Sequence, residues 1–345
     1  MRLLLFIILF AGLGIANAQQ TAEEYIMKGI AEHDKGNYEE AIEYYDKAIE
    51  TGEMLGMAYY EKGYTYSTMG NHQMSLEMAS HAIEHAESDE LLGFGYMLKA
   101  NSLDYLGEPE KAVEVYLDGI DETEFFMLDF NLGITYGRLM KDSLSLLSFA
   151  NTVRKNVLFP SSHYYLSINF YETKQKTKSI ISSIFFLTLP SSKEDRKVMV
   201  YENLLSSIDA GVKKISDSSY TLNAFFPKNS SMKYNSVDFL ISLKALKLDS
   251  NEKDLTNNEM LIYYLTMIIE IFAEWDEDDF DHEIEEFLYE YYVQYLIDAK
   301  KQGYLDTIVH IASSTNEIES QQWVIDNIEK VEEYYMYFGD YFDLE

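Results

Sequence analysis

The stretch KGNYEEAIEYYDKAIE, residues 35–50, places small alanines and a large tyrosine at helical spacing just after a glycine. Ala41, Tyr45 and Ala48 are separated by four and three residues, so they share one face of a helix. Gly36 precedes them, and glycine readily adopts the left-handed conformation that ends a helix. The stretch therefore predicts one helix that ends near residue 36 and a second that packs closely against it.

The arrangement returns after 34 residues, which four pairs of identical residues show: Gly29 and Gly63, Gly36 and Gly70, Tyr25 and Tyr59, Ala48 and Ala82. Gly107 opens the second half of a third unit, and NLGITY at residues 131–136 belongs to a fourth. A fixed period of this length predicts supersecondary units that stack on one another.

These units resemble the tetratricopeptide repeat. The matching stretches are AEEYIMKGIAEHDKGNYEEAIEYYDKAIE from Ala22, GMAYYEKGYTYSTMGNHQMSLEMASHAIE from Gly56, GFGYMLKANSLDYLGEPEKAVEVYLDGI from Gly93 and FMLDFNLGITYGRLMKDSLSLLSFANTV from Phe126. A fifth, degenerate unit begins at Ser161. The resemblance implies an all-α fold, a right-handed α-solenoid of helix pairs over residues 20–190.

The 34-residue period is absent from residues 191–345, but motifs typical of helix starts continue there. We therefore expect a helical C-terminal region, which is either a set of degenerate repeats or a separate helical cap. Ser/Thr-x-x-Glu boxes, which satisfy free backbone amides at a helix start, occur at Thr21, Ser191, Thr256 and Ser314. The predicted helices lie near residues 193–209, 257–273, 283–300 and 316–338. Residues 237–248 fit a helix or a strand, and we predict a helix. Pro227 and the Asn and Ser residues around it predict a loop.

The first 18 residues, MRLLLFIILFAGLGIANA, predict a secretory signal peptide with Arg2, an apolar run and a small-x-small cleavage site. The alternative is a membrane anchor, but the run is shorter than the roughly 20 residues that a span needs. We therefore expect an exported, periplasmic or extracellular protein that starts at Gln19 and has no membrane span after cleavage. The chain has no cysteine, so packing alone must hold it.

The net charge of −32 is distributed unevenly. Residues 19–150 carry 26 acidic and 8 basic side chains, residues 151–250 carry 8 and 14, and residues 270–345 carry 22 and 3. This order suggests docking of one segment on another, or simply solvated helix faces. A pI near 4.5 argues against nucleic acid as a partner.

We predict no enzyme, no cofactor and no metal. HAIEH at residues 81–85 has the spelling of a zinc-peptidase motif, but Ala82 is a packing residue of the second unit and such short patterns arise by chance in helices. The acidic stretch 274–283 lacks the glycine of a calcium-binding loop, so we interpret it as the start of a helix. No phosphate-binding loop or nucleophile elbow is present in the sequence.

The resemblance also implies a binding surface, because the family lines its concave face with positions 2, 5, 9, 12 and 13 of each first helix. Those positions hold Glu23, Ile26, Ile30, His33 and Asp34; Met57, Tyr60, Tyr64, Ser67 and Thr68; Phe94, Met97, Asn101, Asp104 and Tyr105; Met127, Phe130, Ile134, Gly137 and Arg138.

From these we predict a site for a protein or peptide partner at Tyr60, Tyr64, Phe94, Met97, Asn101, Tyr105, Phe130 and Arg138. The aromatic and Met side chains supply buried area, and Asn101 and Arg138 orient a polar backbone or carboxylate. An alternative hypothesis is a structural subunit of a cell-envelope or secretion assembly that docks through its acidic C-terminal helices. The partner and the oligomeric state do not follow from the sequence.

Overall fold

A computed structural model describes residues 21–190, 194–209, 212–216, 219–222, 230–249, 255–275 and 282–344. Helices make up most of this part of the chain, so the all-α prediction is confirmed. Contacts divide the chain into two compact units, Met1–Thr123 and Glu124–Glu345. We call these the first unit and the second unit.

The first unit consists of consecutive helices that pack in pairs: α1 Ala22–Lys35, α2 Tyr38–Glu50, α3 Leu55–Thr68, α4 His72–Glu84, α5 Asp89–Tyr105 and α6 Pro109–Glu122. The pairs pack as closely as the small residues predict. A Cβ atom on Gly29 would lie 2.4 Å from the Tyr45 ring, and one on Gly63 would lie 2.9 Å from Leu98 and Met78. Ala41, Tyr45 and Ala48 are fully buried.

The first helix of each pair ends in the same hydrogen-bonded turn. In the first pair, the Gly36 amide donates to the His33 carbonyl and the Asn37 amide donates to the Glu32 carbonyl, while Gly36 takes a φ of 85°. Gly70 and Gly107 occupy the equivalent left-handed positions of the next two pairs. These are Schellman-type helix ends, in which a left-handed residue allows the amides after the helix to donate to carbonyls of its last turn.

The same turn continues into the second unit without glycine. Met140 and Lys174 take φ values of 55° and 59°, and the amides that follow them donate to Tyr136 and Phe170 in the same pattern. The left-handed residue thus recurs at 36, 70, 107, 140 and 174. The fifth, degenerate unit therefore has the helix-turn geometry of the other four.

The second unit contains elements of more varied length: α7 Phe126–Arg138, α8 Asp142–Lys155, α9 Pro160–Glu172, α10 Lys176–Thr188, α11 Glu194–Asp209, β1 Val212–Ser216, β2 Ser219–Leu222, α12 Met232–Asp249, α13 Asn257–Phe272, α14 Glu283–Phe287, a π-helix Leu288–Val293, α15 Gln294–Gln302, α16 Leu305–Ser313, α17 Ile318–Asp326 and α18 Ile328–Tyr341. The two strands form an antiparallel hairpin with Val212 opposite Leu222.

One hydrophobic core runs through the second unit from Leu146 to Phe338. Helix α10 is at its centre, since every residue from 176 to 188 is buried. The core also contains an ion pair, with Lys178 Nζ 2.5 Å from Glu285 Oε1 and both side chains almost fully buried. Helices of the fourth and fifth repeats therefore share a core with the helices that follow residue 190. The division of the chain at residue 190 stays a prediction.

The sequence predicts most C-terminal helices but not every boundary. The capping box at Thr256 is confirmed, and the Thr21 hydroxyl accepts from the Glu24 amide as predicted. The helix start predicted at Ser314 is wrong. The Ser314 hydroxyl donates to the Ile311 carbonyl instead of capping a helix, and α17 begins only at Ile318.

Three further features of this region differ from the prediction. The single helix expected over residues 316–338 is two helices that meet at Asn327. Helix α16 and the β-hairpin at 212–222 were not predicted. The box at Ser191 and the loop at Pro227 lie outside the described residues.

Within the described part of the chain, no helix combines the length and the apolar character needed to cross a membrane.

Candidate partner-binding site

The first unit holds six of the eight residues predicted to bind a partner, on α3 and α5. None of the six is buried: Tyr64 is 39% exposed and Tyr105 is 67% exposed, and Tyr60, Phe94, Met97 and Asn101 are half-buried. Their exposure has a local cause, because the small residues Ala58 and Gly63 of α3 face the neighbouring helices instead. The large side chains are thereby left on the other side of the helix.

Aromatic rings form a continuous row across three helices of the first unit. The His33 ring of α1 stacks on Tyr64 with ring centroids 5.3 Å apart. Tyr64 stacks on Tyr60 at 6.3 Å, and Tyr60 contacts Phe94 of α5 at 5.3 Å. We call these four residues the aromatic row. Tyr64 is partly exposed and Tyr60 and Phe94 are half-buried, so these three rings are accessible to apolar side chains and cations, which aromatic rings attract.

His33 is the member of the row that was not among the predicted binding residues. It is buried, and its Nδ1 atom lies 2.7 Å from the Thr65 hydroxyl, which itself donates to the Glu61 carbonyl. Because the Thr65 proton is used in that bond, Nδ1 of His33 must carry the hydrogen and donate. The edge of Tyr38 contacts the same ring at 5.2 Å. These contacts hold His33 in place as a rigid end of the row.

The amide of Asn101 has its orientation fixed by a tyrosine of the next helix. The Tyr116 hydroxyl, on α6, donates to Asn101 Oδ1 at 2.5 Å. Since Oδ1 accepts this bond, the Nδ2 hydrogens of Asn101 are left to donate to a ligand carbonyl or carboxylate. The Asn101 amide is thus held in one orientation, and its role in binding a partner stays a prediction.

Tyr105 and Met97 complete the predicted set on α5. Tyr105 is the last residue of this helix, and its ring stacks on His72, the first residue of α4, at 4.6 Å. Met97 is half-buried one helical turn from Phe94 and from Asn101. A flexible thioether beside rigid rings is suited to accommodate side chains of different shape.

The other two predicted residues, Phe130 and Arg138, lie on α7 of the second unit. The Phe130 ring packs edge-on against Phe159 at 4.9 Å and also contacts Phe149 and Tyr165, as part of the wall of the core. Arg138 ends α7 and is exposed. Phe130 therefore supports the packing of α7, α8 and α9, and its role in binding a partner stays a prediction.

The sequence contains two candidate metal sites, the HAIEH motif at residues 81–85 and the acidic stretch 274–283. His81 Nδ1 lies 3.7 Å from Glu84 Oε2, and the Tyr59 ring stacks on both His81 and His85. In the described residues no three His, Asp or Glu side chains converge as metal ligands would. The centre of the acidic stretch, residues 276–281, lies outside the described residues.

The first unit as a whole carries a strongly negative charge. Residues 21–123 carry 23 Asp and Glu against 6 Lys. Such a surplus attracts cationic partners and repels anionic ones over about a Debye length, roughly 8 Å at physiological salt. The first unit is thus an acidic, paired-helix scaffold whose helices α3 and α5 carry partly exposed aromatic rings and the Asn101 amide.

Comparison with protein families identifies this scaffold. Models described as "Tetratricopeptide repeat" match residues 22–51 and residues 58–89, which include His33, Tyr60 and Tyr64. Residues 22–51 and 58–89 are thus tetratricopeptide repeats, as the resemblance in the sequence implied. The fold of this family suggests a protein-binding scaffold. A search of curated proteins finds no match.

Several solved structures are similar to this chain at low identity. A thermophilic TPR protein of Thermus thermophilus is 16% identical, with 54% of this chain and 100% of that chain covered and a TM-score of 0.43. PilF of Pseudomonas aeruginosa is 16% identical, with 54% and 88% covered and a TM-score of 0.45. YrrB, described as a TPR protein with an unusual peptide-binding site, is 16% identical, with 52% and 91% covered and a TM-score of 0.38.

Proposed function

We propose that this chain is an exported, non-enzymatic scaffold that holds an extended segment of a partner protein on the face formed by α1, α3 and α5. The aromatic row is the observation that carries the proposal, since its rings bring three helices into one surface. Exposed tyrosines supply much contact area at little cost in conformational entropy, because they have only two side-chain torsions. Residues 1–18 support export.

The chemistry of the face favours a partner segment with basic and apolar side chains. Apolar or cationic groups would lie against Tyr60, Tyr64 and Phe94. The Asn101 amide would donate to a backbone carbonyl of the segment, with Tyr116 keeping the amide in the correct orientation. The negative charge of the first unit would speed the encounter and would exclude acidic segments.

A peptide-display experiment tests this proposal. The mature chain from Gln19 is screened against a library of short random peptides, and binders are ranked by affinity. We expect enrichment of Lys, Arg and apolar residues. The Tyr64→Ala/Tyr105→Ala variant should bind the selected peptides about tenfold or more weakly, because truncation of an aromatic anchor costs roughly 1–2 kcal/mol.

Two further variants sharpen the test. Asn101→Asp keeps an acceptor for Tyr116 but removes the amide donor, so it should also weaken binding. Tyr44→Ala, on the second helix of the first pair, removes a half-buried tyrosine outside the row and should leave binding unchanged. Binders that the double variant retains at full affinity, with helicity intact, would contradict the assignment of the face.

A further inference from the structure

The predicted partner face contains one thioether on α5, the side chain of Met97. Met97 is half-buried, three residues after Phe94 and four residues before Asn101. These spacings place the three side chains on one face of the helix. Tyr96 and Leu98, the neighbours of Met97 in the chain, are buried and belong to the packed side of α5. Met97 is therefore partly open to solvent on the side that carries the predicted site.

Methionine is the only sulfur-containing residue of this chain. The sequence has 15 methionines and no cysteine, so no thiol competes for an oxidant. Hydrogen peroxide oxidises a thioether by two electrons: a sulfur lone pair attacks one peroxide oxygen, the O–O bond breaks, a sulfur–oxygen bond forms, and the second oxygen leaves as water. The product, methionine sulfoxide, is polar, and methionine sulfoxide reductases return it to the thioether. Such a modification is therefore reversible.

The fixed orientation of Asn101 determines what a sulfoxide at Met97 would do. Oδ1 of Asn101 accepts from the Tyr116 hydroxyl at 2.5 Å, which leaves the Nδ2 hydrogens as donors. Side chains of a helix lean toward its N-terminus, so Asn101 leans toward Met97, one turn before it. The methionine side chain has three rotatable bonds, which are enough to bring a sulfoxide oxygen to Nδ2. Oxidation would thus add a polar group beside Phe94 and occupy the amide donor.

We propose that Met97 is a redox-sensitive position of the partner face, where oxidation to methionine sulfoxide by a peroxide releases the bound segment. This inference rests on the proposed function, because it concerns the same face and the same partner segment. In the reduced chain, the thioether lies against apolar groups of the segment and the Asn101 amide donates to its backbone. In the oxidised chain, the sulfoxide loses hydration against those apolar groups and its oxygen takes the amide donor. Reduction of the sulfoxide restores binding.

Other methionines are oxidised in the same treatment, so the effect must be assigned to one side chain. Met27 of α1 is 58% exposed and lies outside the positions implied to line the concave face, and Met140 in the second unit is 88% exposed. Met57 of α3 is half-buried and packs against the apolar cluster that contains Ala58. Exposed thioethers react readily with peroxide. Substitution of single methionines therefore separates Met97 from the rest.

The affinity of each variant for a peptide selected from the library, before and after mild hydrogen peroxide treatment, tests the inference. Catalase removes the peroxide before the peptide is added, and mass mapping identifies the oxidised methionines. Oxidation should weaken binding by the wild-type chain about tenfold or more, and a methionine sulfoxide reductase should reverse this loss. For Met97→Leu, the ratio of the two affinities should be close to one, because leucine has no sulfur. Met97→Gln, which places a polar group there permanently, should bind about tenfold more weakly than wild type without peroxide.

Met27→Leu is the matched control, since it removes an exposed methionine elsewhere in the first unit and should stay as sensitive as the wild-type chain. Circular dichroism shows that the fold is kept after oxidation. An untreated chain that selects no peptide would overturn the proposed function and, with it, this inference. An untreated chain that binds, with an oxidised chain that binds equally well, would overturn the inference alone. So would a Met97 that stays unoxidised in the folded chain, or a Met97→Leu variant that loses affinity as the wild-type chain does.

Discussion

Acid should destabilise the second unit through one buried histidine. His163 of α9 is fully buried, with Nε2 2.8 Å from the Val157 carbonyl and Nδ1 2.6 Å from the Tyr292 hydroxyl. A carbonyl oxygen only accepts, so Nε2 carries the hydrogen and Nδ1 accepts from Tyr292. The neutral ring thus has both nitrogens satisfied. The Phe185 ring stacks on it at 6.0 Å, and a protonated ring would be a charge in an apolar core.

The size of the effect follows from the pKa of this side chain in the two states. Burial lowers the pKa of His163 from 6.5 to about 4. The unfolded chain therefore takes up the proton first as the pH falls. The neutral ring stabilises the fold fully above pH 6.5, and this contribution is lost as the pH falls toward 4. A pKa difference of this size corresponds to about 3 kcal/mol of unfolding free energy.

Urea unfolding at several pH values measures this loss. The two tryptophans of the chain, Trp275 and Trp323, both lie in the second unit, so their fluorescence reports on the unit that contains His163. His163→Gln is the comparison, because glutamine offers a donor for Val157 and an acceptor for Tyr292 but does not titrate. Other titrating groups contribute to both proteins and cancel in the difference.

At pH 7 we expect the wild-type chain to have a higher free energy of unfolding than His163→Gln. Between pH 7 and pH 4 the wild-type chain should lose about 3 kcal/mol more of this free energy than the variant does. A difference that stays constant between pH 7 and pH 4 would refute the reasoning. It would mean that the folded chain protonates His163 as readily as the unfolded chain does.

Two further predictions concern stability at neutral pH. Met140→Gly should raise the free energy of urea unfolding by about 1 kcal/mol, because a non-glycine residue is strained in the left-handed conformation. The control is Met69→Gly, which should destabilise the chain because Met69 has an ordinary helical φ of −74°. Glu285→Gln should cost roughly 3–5 kcal/mol by leaving Lys178 buried without its anion, and Lys178→Met/Glu285→Leu should recover most of that loss. Equal losses in the single and double variants would contradict the second prediction.

The Lys178–Glu285 pair also shows how a carboxylate stays ionised in this core. Burial acts to raise the pKa of Glu285, but the Lys178 ammonium and the hydrogen bond from the Ser231 amide lower it below its usual value. The carboxylate is therefore charged in the fold. It joins α10, α14 and the start of α12, three elements that are far apart in the sequence.

The sequence predicts the first three repeats well because local rules are sufficient there. Gly36, Gly70 and Gly107 end helices in a conformation that glycine adopts most easily, so their period can be counted directly. The fourth and fifth repeats keep the turn but place Met140 and Lys174 in it, and no propensity marks a methionine or lysine as left-handed. The geometry persists there because tertiary packing outweighs the local preference.

The second unit was harder to predict because its stabilising contacts are distant in sequence. Lys178 and Glu285 are 107 residues apart, and His163 and Tyr292 are 129 residues apart. A single sequence does not show which residues at such separations meet. The β-hairpin at 212–222 was missed for a related reason, since a two-stranded hairpin gains much of its stability from packing, here against α12.

For the candidate site, spacing alone places Tyr60 and Tyr64 on one face of α3, since they are four residues apart. The contacts between helices could not be derived in this way. That His33 stacks on Tyr64 and that Tyr116 orients Asn101 become visible only when the helices are assembled.

Helix α3 carries small, buried residues on one side and partly exposed tyrosine rings on the other. The residues that hold it in the scaffold are small, namely Gly56, Ala58 and Gly63, and the rings of the aromatic row lie on the other side. A change of Tyr60 or Tyr64 therefore alters the surface offered to a partner without opening a cavity in the packing between repeats. If the proposed function is correct, the specificity of the first unit would therefore reside in a few rings of the aromatic row rather than in its core.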